Sequence, residues 1–315
     1  YMMNQQIEEV EETVEQQLHW LHGLEEYIQH IQHPQQEMFA DIKRALLQGN
    51  PWKIEKLIRF EIDRGPVQLT DEFIKLIMSY HTEYKEVNSR KVLRYIAHSI
   101  DDDYIRKISS WSIKWQNKAN LIDHFSRGQM SSKLWMIDEL QKIYPDKHLG
   151  TIAHYGGWYA TIAQLIFQHF KVKQYINLEA DFSCLEIADD FNYEQQVDNW
   201  RFKSVGLDVN NVYWQENSYF KITPINKAGE KTTLRLYPDL IINTSCEHMS
   251  ENWFEKIPEG IMVCLQTNDY FSNEQHHNCV HGINEAMAKY PMKELWYHGE
   301  LETAMYKRFM LIGKK

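Results

Sequence analysis

Two short stretches carry residue types suited to gripping a nucleotide-like ligand. His154-Tyr155-Gly156-Gly157-Trp158-Tyr159-Ala160 lies between a β-rich run and a helical stretch, where small residues let backbone amides approach a ligand at the start of the helix. A Gly-Gly turn alone serves a tight connection equally well. Glu179-Ala180-Asp181 closes the next β-rich run. Asp181 lies beyond Gly156 by an interval near the ~20 residues at which a carboxylate can accept hydrogen bonds from a ribose diol. The pair is more specific than either part.

Glu247-His248, and Asn268-Asp269-Tyr270 with His276-His277, follow later β-rich runs and hold groups able to take a proton or orient a nucleophile. His248 is the first base to test. Glu247, His248, His276, His277 and His281 also suit divalent ions by donor type. With fifteen His in the chain and no HExxH spacing, no metal is expected, and His276 and His281 are expected at the surface or at caps. Upstream, Phe125-Ser126-Arg127-Gly128-Gln129-Met130-Ser131-Ser132-Lys133 predicts an ordered polar loop at a domain junction, leading into a helix Leu134–Ile143. Arg127 there could clamp a carboxylate, or sit in a structural ion pair beside a Ser-capped helix start.

The elements that must position these residues fall into two regimes. Up to about Asp146, apolar residues recur at helical spacing, as in Leu18, Leu21, Leu24 and Ile28, then Phe39, Ile42, Leu46 and Leu47. Breaks are expected at His33-Pro34, Asn50-Pro51 and Gly65-Pro66, and a helix start at Thr70-Asp71-Glu72. The stripe around Trp20 is expected as core, with a homodimer contact as the alternative. After Pro145, strands 149–153, 172–178, 240–243 and 261–266 alternate with helical stretches 159–170, 183–190 and 251–256, which implies a largely parallel sheet covered on both faces. Segments 219–223 and 232–236 predict an inserted hairpin.

The expected class is therefore α/β, a Rossmann-like, doubly wound, mostly parallel sheet preceded by an all-α domain. The boundaries are 1–146 for the helical lid or cap and 147–315 for the sheet domain.

Composition bounds the function. The 315 residues suggest about two domains. A net charge of −10 provides no basic field for a phosphate backbone, so nucleic acid is disfavoured and a small molecule is expected. No apolar stretch approaches the ~20 residues of a membrane span, and Tyr1–Val14 is too polar for a signal peptide. The acidic run Glu8–Glu15 predicts a solvated face. Four scattered cysteines without CxxC suggest neither a disulfide framework nor a thiolate zinc site. A cytoplasmic location is expected.

In order and spacing the second half resembles the class I S-adenosylmethionine-dependent methyltransferases. Asp181-Phe182-Ser183-Cys184-Leu185-Glu186-Ile187-Ala188 is similar to that family's acidic strand end and following helix. Phe202–Val209 resembles its third strand, Pro238–Met249 its fourth strand and loop, Ile257–Val263 its fifth, and Lys293–Tyr297 with Tyr306–Gly313 its closing antiparallel pair. The resemblance implies S-adenosylmethionine as cofactor, bound by His154, Tyr155, Gly156, Gly157 and Trp158 at the first turn. Asp181 and Phe182 would follow at the ribose, Asp208 and Val209 at the adenine, then Asn243, Thr244 and Ser245, with Arg127 from the junction.

The candidate catalytic groups are His248, Glu247 and Tyr155, and the candidate substrate contacts are Asn268, Tyr270 and Gln129. The expected reaction is methylation of a small polar or amino-acid-like metabolite. The alternatives are nicotianamine synthase-like use of the aminobutyrate arm, releasing methylthioadenosine, or a non-catalytic binding module. His154 stands where the family has an acid, and Trp158 and Ala160 replace glycines. Aromatic faces at Tyr155, Trp158 and Tyr159 could attract the sulfonium cation.

Overall fold

The computed structural model describes residues 18–48, 89–116, 118, 121–197, 200–226 and 228–315. Asn50-Pro51, Gly65-Pro66, the helix start at Thr70 and the N-terminal stretch Tyr1–Glu15 lie outside the described residues. The chain divides into two compact units, Tyr1–Ser131 and Ser132–Lys315.

The first unit is helical throughout its described elements, Trp20–His30, Gln36–Gln48, Ser89–Ser99, Asp103–Lys114 and Leu121–His124. Leu21, Leu24, Ile28, Phe39 and Ile42 line the buried faces that their spacing predicts. Asp102 caps its helix by accepting from the Ile105 amide at 2.9 Å, and takes the Tyr27 hydroxyl at 3.1 Å on its other oxygen.

The expected junction loop is instead the start of a helix running from Arg127 to Ile143. The Met130 amide already bonds the Ser126 carbonyl at 2.9 Å, and Met130, Leu134, Ile137 and Leu140 are buried at three- and four-residue spacing. This continuous apolar stripe outweighs the ~1 kcal/mol that Gly128 costs within a helix.

The second unit holds a seven-stranded sheet in the order β3-β2-β1-β6-β7-β9-β8. Its strands are β1 (His148–Tyr155), β2 (Lys171–Glu179), β3 (Phe202–Gly206), β6 (Leu240–Asn243), β7 (Met262–Asn268), β8 (Glu294–Glu302) and β9 (Lys307–Lys314). β1, β2, β3, β6 and β7 pair in parallel, and β9 pairs antiparallel with β7 and β8. β4 (Phe220–Ile222) and β5 (Leu234–Leu236) form the separate hairpin. β6 and β7 are buried at every position, as strands covered on both faces must be. The architecture is the doubly wound, mostly parallel sheet that the alternating runs predict, closed by the antiparallel pair that the family resemblance implies. Among the described residues, no helix is long and apolar enough to cross a membrane.

Candidate functional site at the carboxyl ends of the parallel strands

β1 pairs with β2 on one side and with β6 on the other, so the strand order reverses at β1 and a crevice opens beyond its carboxyl end. The turn that fills this position has an unusual backbone. Gly156, Trp158 and Ala160 all lie in the left-handed region, with φ of 63°, 53° and 49°. For Trp158 and Ala160 this costs on the order of 1–3 kcal/mol each and persists only where the surroundings over-determine it.

They do so here. The Gly156 amide bonds the Leu178 carbonyl at 2.8 Å, and the Ser245 hydroxyl donates to the Gly156 carbonyl at 3.0 Å. The Trp158 amide donates to Glu179 Oε2 at 2.8 Å, while Asn177 Nδ2 donates to the Trp158 carbonyl at 3.2 Å. Asn192 Nδ2 holds the Ala160 carbonyl at 3.2 Å. A Cβ on Gly157 would stand 2.1 Å from Asn177 Oδ1 and 2.5 Å from His154 Nδ1, so only glycine fits there. The indole and methyl that replace glycines thus leave the alternating left-handed backbone in place, with Trp158 stacked on Tyr159 at 4.5 Å.

At the end of β2 the structure shifts attention from Asp181 to Glu179. Glu179 is the last residue of the strand, and its two carboxylate oxygens accept the amides of Trp158 and Asp181 at 2.8 and 2.9 Å. Asp181 is exposed and caps a short 3-10 turn, accepting from the Ser183 amide and hydroxyl at 2.9 and 2.7 Å. Those bonds, the Ser183 hydroxyl first, hold its carboxyl below the usual range. Phe182 is 65% exposed. Its ring lies over the backbone of Gly206, where a Cβ would meet it at 2.3 Å. Asp208 repeats the capping pattern after β3, accepting from the Asn210 amide at 2.9 Å, and Val209 behind it is buried.

His154 is buried, with Nδ1 2.6 Å from the Tyr175 hydroxyl and Nε2 3.3 Å from Thr244 Oγ1. Burial first, and the nearby Lys133 cation second, lower its pKa to about 3. The group standing where the resemblance expects an acid is therefore a neutral imidazole. A histidine whose folded pKa is depressed binds fewer protons than in the unfolded chain, so the window from 6.5 down to about 3 is one in which falling pH destabilises the fold. Between pH 6.5 and 4.5 the expected loss is about 2–3 kcal/mol, and His154→Gln should remove that part of the slope. Urea unfolding of both proteins at the two pH values measures it, and identical slopes would rule out His154 as the source.

Tyr155 requires a correction as a catalytic or sulfonium-facing group. Its ring is fully buried and edge-on to Phe220 and Trp253, because alternation along β1 turns it away from His154 and into the core. Tyr159 is 4% exposed, which leaves Trp158 as the half-exposed aromatic of the turn.

Beyond β6, Asn243 is buried and accepts the Ser245 amide at 2.9 Å. The Thr244 carbonyl accepts from Arg308 Nη1 at 3.3 Å. Glu247 is 2% exposed; its Oε1 accepts Asn268 Nδ2 at 2.8 Å and lies 3.7 Å from Arg308 Nη2. His248 is exposed and packs edge-on against His276 at 4.6 Å. Asn268 is fully buried, which makes it a positioning residue for Glu247 rather than a substrate contact. Tyr270 stacks on Tyr306 at 5.2 Å. Arg127 and Gln129 belong to the first unit, where Arg127 Nε bonds Glu26 at 2.9 Å, the structural ion pair of the two sequence readings.

The chain has a Rossmann-like fold. Its own strand order and turn carry that assignment. No family model and no curated protein matches the sequence. Among solved structures, the chain is similar to a magnesium protoporphyrin IX methyltransferase from Synechocystis with bound SAH, at 8% identity and a TM-score of 0.44, over 72% of this chain and 99% of that one. A sarcosine dimethylglycine methyltransferase, so assigned without proof, from Galdieria sulphuraria also aligns at 8% identity and TM-score 0.44, over 67% and 98%. A geranyl diphosphate methyltransferase in complex with GPP and sinefungin aligns at 11% and 0.43, over 61% and 80%.

Within this fold, the residues that sequence reasoning missed are Glu179, Asn177, Asn192 and Arg308. A signal existed for two of them. Asn177 is a polar residue inside an otherwise apolar parallel strand, and Glu179 ends that strand. Asn192 and Arg308 carry none, since their partners are distant in sequence.

Proposed function

We propose that the chain is an S-adenosylmethionine-dependent methyltransferase acting on a small polar or amino-acid-like metabolite. The observation that carries this reading is the over-determined left-handed turn Gly156-Gly157-Trp158-Tyr159-Ala160 at the strand reversal. Strain of that kind has a use where backbone must lie against a ligand. The residues present fit the cofactor. Glu179 keeps free lone pairs for a ribose diol after taking its two amides, the exposed Phe182 ring offers a purine a stacking face, and Asp208 follows two residues after the end of β3.

The half-exposed indole of Trp158 would meet a sulfonium, a contact worth roughly 0.5–2 kcal/mol, and the neutral His154 adds no positive charge of its own. Bound there, the cofactor supplies an electrophilic methyl group whose loss leaves S-adenosylhomocysteine. Glu247 and His248 stand on the acceptor side, beyond β6. The net charge of −10 favours a small acceptor over a nucleic acid.

Chromatography of the nucleoside formed from S-adenosylmethionine with panels of amines and amino acids tests the reaction. Acceptor-dependent S-adenosylhomocysteine is the expected product. Methylthioadenosine above the spontaneous background would overturn methyl transfer.

A further inference from the structure

We propose that Glu247, His248 and His276 form a binding site for a divalent transition-metal or zinc ion. One ligand atom from each lies within 4.8 Å of the others, a spacing that a single ion can bridge, and two imidazoles with one carboxylate form a donor set for zinc, iron or manganese.

The second observation is how each side chain is held. His248 Nδ1 lies 3.0 Å from the Gln275 carbonyl, and His276 Nδ1 lies 3.1 Å from the Tyr270 carbonyl. A carbonyl only accepts, so both histidines carry their proton on Nδ1 and leave Nε2 as a lone pair. This outer bonding is how metal-ligating histidines are oriented. Glu247 follows the same pattern. Oε1 is taken by Asn268 Nδ2 at 2.8 Å, whereas Oε2 is buried with no hydrogen-bond partner. A buried carboxylate oxygen left bare is costly, and an ion would satisfy it.

Arg308, 3.7 Å from Oε1, already balances the Glu247 charge. The ion therefore retains net positive charge and calls for an anionic oxygen ligand in its remaining positions. Three protein ligands with open positions is the pattern of a reactive rather than a structural site. His248 is exposed, so those positions are open to solvent. The site requires no S-adenosylmethionine, and its test is independent of the methyltransferase reading.

Full-length protein is dialysed against a chelator, returned to metal-free buffer, and titrated with Zn²⁺ by calorimetry and with Co²⁺ by visible absorption. One equivalent should bind, with cobalt bands of a site of low symmetry. His248→Ala and His276→Ala should each weaken binding at least about tenfold, whereas His277→Ala and His281→Ala should not. His248 is exposed, so its variant should melt with the wild type and separate ligation from folding. Wild type binding no stoichiometric ion, or the His248→Ala/His276→Ala double variant binding as tightly as wild type, would overturn the proposal.

Discussion

Replacing Glu179 with alanine should weaken S-adenosylmethionine binding at least about 100-fold, which corresponds to roughly 3 kcal/mol. Two contributions add. The carboxylate accepts the Trp158 amide at 2.8 Å and the Asp181 amide at 2.9 Å, and charge-assisted bonds of that kind contribute about 1.5–3 kcal/mol each. Without the first, the left-handed Trp158 loses a tie that offsets its strain. The cofactor would then meet a turn that must be reordered, and would also lose its diol partner. Asp181→Ala serves as the contrast. Its carboxylate is exposed and bonded to Ser183, so its loss should change affinity only a few-fold. Calorimetry on both variants decides the ranking, and a larger loss for Asp181→Ala would return the ribose role to that residue.

The second large effect is on stability. Arg308 and Glu247 are 4% and 2% exposed and face each other across 3.7 Å. Removing one partner of such a pair leaves the other charge buried and uncompensated, at a cost of about 3–5 kcal/mol. Arg308→Met should therefore lower the free energy of unfolding by that amount, seen as a lower urea midpoint with little change in slope. Its guanidinium also donates to the Thr244 carbonyl at 3.3 Å, so the loop after β6 should loosen first. Combining Arg308→Met with Glu247→Gln should cost less than the two single losses added together, since the second change removes the stranded charge. An Arg308→Met protein within about 1 kcal/mol of wild type would mean that the pair contributes little.

These two residues mark what the sequence could reveal and what it could not. The run Leu240-Ile241-Ile242-Asn243 coincides with β6 to the residue, because a strand buried on both faces is apolar along most of its length. The inserted hairpin was legible from the turn residues between its two runs, and the closing pair from the family resemblance. The site was legible only in outline. Asp181 carries the acid that spacing points to, but β2 ends two residues earlier, and a strand's last residue rather than the loop beyond it lies against the neighbouring turn. Trp158 and Ala160 read as lost glycines, since a sequence displays side chains and not the hydrogen bonds from Glu179, Asn177 and Asn192 that hold an unfavourable φ. Arg308 reaches Glu247 only through the antiparallel pairing of β9 with β7, which sets Arg308 opposite Asn268. The helix begun at Arg127 was missed because its polar first turns hid a stripe that starts at Met130.

Titration of the full-length protein with S-adenosylmethionine, with NAD as the competing ligand for a Rossmann-like crevice, tests the central claim most directly. The account predicts one-to-one binding of S-adenosylmethionine, strongly weakened in the Glu179→Ala protein, and no displacement by NAD. Absence of S-adenosylmethionine binding by a folded protein, or displacement by NAD at comparable concentration, would contradict it.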